Sequence, residues 1–458
     1  MKKMDVKKIA EIINGTVTSS DSHEEIRGFS IDSRTILPGE FFIAIKGKHL
    51  DGHEFLYQAS QKGARGIIVS SPPEASIKEK FDHVIKVEDT LLALERLAEN
   101  IRKTRDLPVI CVTGTNGKTT VKEMLVSILS SWYKVLANKD SYNNIIGLSL
   151  TLLGMEEHHD LAVLELGTSG PGEIERLAKI AKPECAVITN IGRAHLEGLG
   201  SREKICSEKT SVLKCLPEKG IAFLNGDDAL LKKNKISDVP IKYYGMSEDC
   251  DVRISRVVPE GRGYNFSVND DSYFVPLKGL HNVYNAAVSI AVAKHFGLDQ
   301  KQIQKGLSEV CLPKGRLEKS VVKDRVFIND AYNANPDSFE CALSVLAEER
   351  DSGNKVVVAG DMLELGDDSR LFHTDLGKHI KEKGIDYLIT LGKSAGDIAA
   401  GAIASGMAKD NVIRAKSYKD AARVLDNITA AGSTILLKGS RGSKIEEVLK
   451  CFTSSYTS

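Results

Sequence analysis

The runs PVICVTG, LAVLELG, CAVITNIG and IAFLNGDD, spaced between residues 108 and 228, are apolar throughout and only strand-long, and helix-like stretches separate them. A strand covered on both faces needs apolar side chains on both, so unbroken runs of this kind predict parallel strands in a doubly wound sheet. Between 241 and 278 the texture changes to hairpin-like sequence, VRISRVVPEGRGYNFSVNDDSYFVPL, followed by the helical NVYNAAVSIAVAKHFG. After LPKGRLEK the alternation resumes with RVFIND, KVVVAGDM, DYLITLG and TILLKGS, each leading into a helical stretch, which predicts a Rossmann-like unit. Ahead of all this, FFIAIKG and RGIIVSS flank the helical HEFLYQASQKGA as a small α/β unit, and TLLALERLAENIRKTR joins it to the rest. The expected architecture is α/β in three domains: a small domain at 1–85, a central parallel-sheet domain at 86–312 and a C-terminal Rossmann-like domain at 313–458.

Composition narrows the function classes. The chain has 458 residues, more than one hydrophobic core normally holds. Lysine plus arginine equals aspartate plus glutamate, 62 against 62, so no basic excess favours nucleic acid or an anionic membrane. The eight cysteines contain no C-x-x-C pair and read as reduced, mostly buried thiols rather than a zinc site. The first residues, MKKMDVKKIAEIING, are interrupted by Asp5 and Glu11 and read as a first helix rather than a signal peptide. No stretch approaches the ~18 consecutive apolar residues of a membrane span. The expectation is a cytoplasmic enzyme.

The strongest chemical signal is CVTGTNGKTTVKEM at 111–124. In a strand–loop–helix unit the loop and first-turn N–H groups converge, and the helix dipole adds positive potential there. Gly114 and Gly117 permit close backbone approach to an anion. Lys118 supplies charge for β/γ-phosphates, and the Thr119 hydroxyl suits Mg²⁺. The usual phosphate loop has a glycine where this chain has Val112, so the loop departs from that pattern. Glu165 ends the strand LAVLELG, where open α/β sheets bind ligands, and is either a metal ligand or a solvated strand-end acid. His195 follows the next strand, and Lys209 lies on a helix fourteen residues later; composition alone does not couple them. Asn282 and Asn285 stand at a helix start, as caps or as adenine-recognising amides. NDAYNANPDSF gathers Asp330, Tyr332, Asn333, Asn335 and Asp337 into one loop, more polar groups than a turn needs. LLKGSRGSK places Lys438, Ser440 and Arg441 at the last strand's end, either as a second anion-recognition loop or as a basic turn.

Together these residues resemble the Mur ligases of peptidoglycan synthesis over almost the whole chain, because GTNGKTT at Gly114–Thr120 has the form of that family's shortened loop. The resemblance implies ATP bound by Gly114, Thr115, Asn116, Gly117, Lys118, Thr119 and Thr120, with Asn282 on the adenine and Arg316 and Asp330 reaching back from the third domain. It implies two Mg²⁺ sites: Thr119 with Glu165, and His195 with Lys209 converted to a carbamate by CO₂. Lys118, Glu165, His195 and Lys209 would then be the catalytic set. NDAYNANPDSF and AGDMLELGDDS resemble the branch that adds D-alanyl-D-alanine to UDP-MurNAc-tripeptide. In DSYNNIIGLSLTLL, Lys139, Ser141, Asn143 and Asn144 would lie near the muramoyl-peptide, although Ser149 stands where the family pattern has proline. SIDSRTILPGEFFIAIKG resembles the uridine-nucleotide-binding fold, with Ser33 and Arg34 as contacts. Tyr332, Asn333, Asn335, Lys438, Ser440 and Arg441 complete the implied substrate-binding set.

The implied reaction is amide formation through an acyl phosphate, with UDP-MurNAc-tripeptide and D-Ala-D-Ala as partners, neither nucleic acid nor membrane, and a monomeric enzyme. The neighbouring reading is the tripeptide-forming ligase of the same family, whose amino-acid-selecting motif is not found in the third domain.

Overall fold

The computed structural model describes residues 4–18, 26–47, 50–139, 141–233, 238–349 and 353–454, and these form three sheets. The first sheet runs Thr16–Val17, His83–Lys86, Gly66–Val69, Phe41–Ile43, Phe29–Ser30, with only its first pair antiparallel. Phe41, Phe42 and Ile43 are all buried, as a short strand covered on both faces requires. The helix Val6–Ile13 precedes it, started by the Asp5 carboxylate accepting from the Lys8 N–H.

The central sheet has nine strands, in the order Asp271–Val275, Gly263–Val268, Val252–Glu260, Ile241–Gly245, Ile221–Asn225, Cys185–Ile188, Val109–Thr113, Leu161–Glu165, Val135–Ala137. The first two pairs are antiparallel, which is the hairpin texture of 241–278, and every other pair is parallel. Thus the four apolar runs that open the central region lie side by side, and their carboxyl ends share one edge. The helix Thr90–Thr104 buries Leu94, Leu97 and Ile101 in a core that also holds Val6 and Ile9 of the first domain and Leu148, Leu152 and Leu177 of the central one. The first and central domains are therefore joined through continuous apolar packing.

The third sheet runs Glu318–Val322, Arg325–Asp330, Thr434–Lys438, Lys355–Ala359, Tyr387–Thr390, Val412–Arg414, antiparallel only at its first pair. Its two apolar cores, one on each face, are separate from those of the central domain. The contact between third and central domains is polar: Lys278 pairs with Glu349 at 2.9 Å, and the Tyr264 hydroxyl donates to Glu348 at 2.7 Å. Polar junctions of this kind separate at low cost, whereas a shared apolar core does not. Among the described residues no helix is long and apolar enough to cross a membrane.

Candidate active site

The loop between the strand Val109–Thr113 and the helix Lys118–Leu129 needs both glycines. Gly114 has φ +141°, and a Cβ there would lie 1.9 Å from Thr189 Oγ1. Gly117 has φ +83°, with a Cβ position 2.5 Å from Asn285 Oδ1. The end of the next strand fastens the loop. Asn190 Oδ1 accepts from the Asn116 N–H at 3.0 Å, the Thr189 hydroxyl donates to the Asn116 carbonyl at 2.6 Å, and Thr115 Oγ1 accepts from the Gly192 N–H at 2.8 Å. Thr120 is buried in the first helical turn. Lys118 Nζ donates to the Gly114 and Thr115 carbonyls at 3.0 and 2.9 Å, so its charge sits over the loop. Burial holds its pKa below the usual lysine range against the pull of Glu165.

Thr119 and Glu165, 46 residues apart in sequence, meet directly. The buried Thr119 hydroxyl donates to Glu165 Oε2 at 2.6 Å, and Asn143 Nδ2 donates to Oε1 at 2.8 Å. Asn138, which the sequence reading passed over, grips the same glutamate by its backbone: Oδ1 accepts from the Glu165 N–H and Nδ2 donates to the Glu165 carbonyl, both at 2.9 Å. The buried Lys122 ammonium in turn donates to the Asn138 carbonyl at 2.9 Å. A buried amide holding one strand end this way is a positioning device. Asn138→Ala leaves those groups unpaired, at a cost of about 1–3 kcal/mol for each group that water cannot reach. The expected result is a lower thermal midpoint together with a loss of turnover that saturating Mg²⁺ does not restore. Unchanged melting and unchanged turnover would show that Glu165 is held by other contacts.

The third domain meets this site at several points. Arg316 Nη2 donates to Thr119 Oγ1 at 2.8 Å while its guanidinium lies 4.1 Å from the centre of the Tyr332 ring. Arg316 Nε is buried without a hydrogen-bond partner. Asn335 exchanges two side-chain hydrogen bonds with Asn116, at 2.8 and 3.2 Å, while its own Oδ1 also caps the helix Pro336–Ala347. Asp337 takes the Arg193 backbone N–H at 2.6 Å and its guanidinium at 2.7 and 3.0 Å. Arg193 and Gly192 sit just before His195, and a Cβ on Gly192 would come within 2.4 Å of Asp337 Oδ2. No local pattern couples positions 193 and 337, so only the fold could find this pair. His195 Nδ1 pairs with Glu364, also of the third domain.

The remaining candidate residues divide. Asp330 accepts from the Leu317 N–H at 3.1 Å and pairs with the buried Lys438 ammonium, which also reaches the Asn333 carbonyl at 3.3 Å. Ser440 is buried, donates to the Ala334 carbonyl at 3.1 Å and accepts from the Leu363 N–H at 2.9 Å. Arg441 is exposed, 3.4 Å from Glu446. Lys438 and Ser440 therefore brace the loops around them, and Arg441 projects. Asn282 is buried, with its amide donating to the Lys278 carbonyl at 2.8 Å and accepting from Asn285 at 3.2 Å. Neither asparagine caps the helix Leu280–His295, whose N-cap is Gly279. His281 beside them is kept neutral by burial, its pKa lowered to about 4. Asn144 caps the helix Ile145–Leu153 by accepting from the Gly147 N–H, and Lys139 is exposed at the same turn. The Ser33 hydroxyl donates to Gln58 Oε1 at 2.6 Å, and Arg34 is engaged by Asp32. Lys209 is 1% exposed on the helix Arg202–Thr210, and burial, reinforced by Lys118, pushes its pKa well below the usual range.

A cavity of about 830 Å³ collects most of these groups: the loop from Thr115 to Thr120, Ser141, Asn143, Asn144, Glu165, His195, Asn282, Arg316, Asp330, Tyr332, Asn333, Asn335 and Lys438. A second cavity, about 760 Å³, adjoins it through Thr119, Ser141, His195 and Arg316, and adds Lys314, Glu364, Ser440 and Arg441. The arrangement is a polyanion loop with hard oxygen donors at its lip, closed on one side by a second domain. It can bind a nucleoside triphosphate and present its terminal phosphate to a group entering from the adjoining cavity.

Comparison with known proteins agrees with this geometry. Residues 25–102 match the Mur ligase family catalytic domain, 112–293 the Mur ligase middle domain, and 315–441 the Mur ligase glutamate ligase domain. The UDP-N-acetylmuramoyl-tripeptide--D-alanyl-D-alanine ligase of Bacillus subtilis is 38% identical over 458 residues, covering 98% of both chains. The enzyme of the same name from Escherichia coli is 32% identical, again over 98% of both. The crystal structure of MurF from Acinetobacter baumannii superposes with a TM-score of 0.90 at 31% identity, covering 99% of both chains. MurF ligase from Thermotoga maritima in complex with ADP gives 0.82 at 29% identity, over 93% of this chain and 97% of that one. Fold, phosphate loop and full-length likeness converge, and the chain belongs to the Mur ligase family.

Proposed function

We propose that this enzyme joins D-alanyl-D-alanine to UDP-MurNAc-tripeptide at the expense of ATP, as a cytoplasmic monomer. The observation that carries the reading is the meeting of Arg316 with Thr119, which joins the third domain to the phosphate loop across one cavity. In this reading residues 1–85 hold the uridine nucleotide through the turn bearing Ser33 and Arg34, 86–312 hold ATP, and 313–458 present the dipeptide.

The terminal carboxylate of the tripeptide attacks the γ-phosphorus, the bond to the bridging oxygen breaks, and ADP leaves. The dipeptide amine then attacks the acyl carbon of the acyl phosphate, and phosphate departs from the tetrahedral intermediate as the amine proton is lost. The chain's part in both steps is placement and charge. The loop N–H groups and Lys118 bear on the phosphates, Asn282 and Asn285 line the nucleotide cavity, and Arg316 adds a cation from the third domain.

The residues fit magnesium: Thr119 and Glu165 offer hard oxygens side by side, and a cation that keeps waters and phosphates needs few protein ligands. Bound there, it would neutralise charge on the transferring phosphoryl group. His195 and Lys209 fit a second ion only if the amine becomes a carbamate: burial lowers the amine's pKa, which favours reaction with CO₂, but an amine is a poor ligand for a hard cation.

The test is phosphate release from ATP and UDP-MurNAc-tripeptide with one amine offered at a time: D-Ala-D-Ala, meso-diaminopimelate, L-lysine or glutamate. Release only with D-Ala-D-Ala is expected. A requirement for any other amine would move the chain to another branch.

A further inference from the structure

The adjoining cavity of about 760 Å³ carries charged groups, Lys314, Glu364 and Arg441, that the loop chemistry does not use. Its lining includes Lys314, Arg316, Arg441 and His195 as basic groups, and Glu364 is the one acid among the described lining residues. Glu364 is also held with unusual care. Its φ is +62°, a left-handed conformation that costs a non-glycine residue about 1 kcal/mol or more. The segment around it fixes that conformation: the Met362 N–H donates to His373 Nε2 at 2.9 Å, the Leu363 N–H to Ser440 Oγ at 2.9 Å, and the Glu197 N–H of the central domain to the Glu364 carbonyl at 3.1 Å. Asp361 anchors the same loop by accepting from the Lys393 and Ser394 N–H groups. The carboxylate thus stands at the seam of two domains. Oε2 faces His195, and Oε1 has no hydrogen-bond partner among the described residues. Leu363 beside it lines the cavity with 48% of its surface exposed.

We infer that Glu364 is the residue that receives the α-ammonium of the incoming dipeptide, with the cations Lys314 and Arg441 taking its far carboxylate and Leu363 beside its methyl groups. This rests on the ligase reading above and extends it to residues for the second substrate. A zwitterionic dipeptide carries one positive end and one negative end, about 7 Å apart when extended. A cavity with a single carboxylate and several cations can satisfy it in only one direction. That direction puts the amine beside Glu364 and His195, hence next to the lip at Thr119 where the acyl phosphate forms. A carboxylate can accept from His195 and an ammonium at once, through different oxygens. Specificity for a dipeptide over an acidic amino acid follows from the same charges, since a second carboxylate near Glu364 would be repelled.

Glu364→Gln keeps the shape and removes the charge. With saturating ATP and UDP-MurNAc-tripeptide, KM for D-Ala-D-Ala is expected to rise about 10- to 100-fold, the loss of a charge-assisted contact. The control is N-propionyl-D-alanine, the same dipeptide with hydrogen in place of its ammonium, used as a competitive inhibitor. Its Ki is expected to change less than about threefold, which also shows that the variant folds and forms its cavity. The Mg²⁺ concentration for half-maximal rate is expected to stay within about twofold of wild type. Parallel rises in KM and in the inhibitor Ki would overturn the assignment, because Glu364 would then shape the cavity rather than meet the ammonium. A shift in Mg²⁺ dependence with KM for the dipeptide unchanged would overturn it too, making Glu364 a positioning residue for His195. If wild-type enzyme releases no phosphate on addition of D-Ala-D-Ala, the ligase reading itself fails, a result visible before any variant is made.

Discussion

Lys209→Ala is expected to lower turnover by about 10²- to 10³-fold, the usual scale for removing one charge-stabilising group, and to regain part of the loss in acetate or formate. Lys209 is 1% exposed, and burial, with Lys118 acting in the same direction, outweighs the pull of Glu208 and Glu165, so its pKa lies well below the usual lysine range. Glu208 does not offset this as a direct partner, because its carboxylate is committed to the Gly172 and Ile174 N–H groups at the start of the helix Glu173–Ala181. An amine buried near Glu165 has no evident structural use. Converted to a carbamate, it becomes an anion with two oxygens for a hard cation, and Lys118 then favours its charge instead of opposing it. Alanine opens a space there that a short carboxylate can enter. The check is steady-state phosphate release from the variant against acetate concentration. A variant as active as wild type would remove Lys209 from the site, and an inactive variant that no carboxylate rescues would remove the carbamate.

Glu165→Gln is expected to be as severe, about 10²- to 10³-fold in kcat. Glutamine can still accept from the Thr119 hydroxyl, but its NH₂ faces the NH₂ of Asn143, which now donates to Glu165 Oε1. One donor–donor contact costs about 1–3 kcal/mol when buried, so a thermal midpoint lowered by a few degrees should accompany the loss. The catalytic effect exceeds the stability effect because, in the proposed reading, the lost anion is also the hard ligand beside Thr119. Turnover measured across a Mg²⁺ titration separates the two. A loss of only a few fold, restored by more Mg²⁺, would mean that Glu165 orders the loop without holding the metal that acts in catalysis.

Both predictions concern residues that single segments left ambiguous. Glu165 read equally well as a solvated acid, and the structure has it 2% exposed. Asn143 was assigned to substrate, yet its side chain also tethers that glutamate. Lys438 reads in sequence as part of an anion-recognition loop or of a basic turn, and the structure has it buried against Asp330. The direction of these differences is uniform: polar side chains at strand ends satisfy one another before they meet a ligand, because buried groups left unpaired are costly. Asn138 and Glu364 escaped attention for the related reason that neither residue type, in its own segment, announces a partner 27 or 169 positions away.

The amino-acid sequence by itself determined the α/β class, the parallel strands of the central and third domains, and the shortened phosphate loop. Those features depend on local rules: apolar runs with both faces covered, and glycines where a Cβ would collide. The family likeness was also in the sequence, since it is carried by contiguous motifs. What only the tertiary structure decided was which charges meet. Asp337 with Arg193, His195 with Glu364 and Arg316 with Thr119 all cross between two domains, and their partners lie 144, 169 and 197 residues apart. The structure also decided how the domains are joined, by apolar packing through Thr90–Thr104 on one side and by polar pairs on the other. Packing faces follow from local periodicity, whereas a charge finds its partner only after the sheets have set the distance between them.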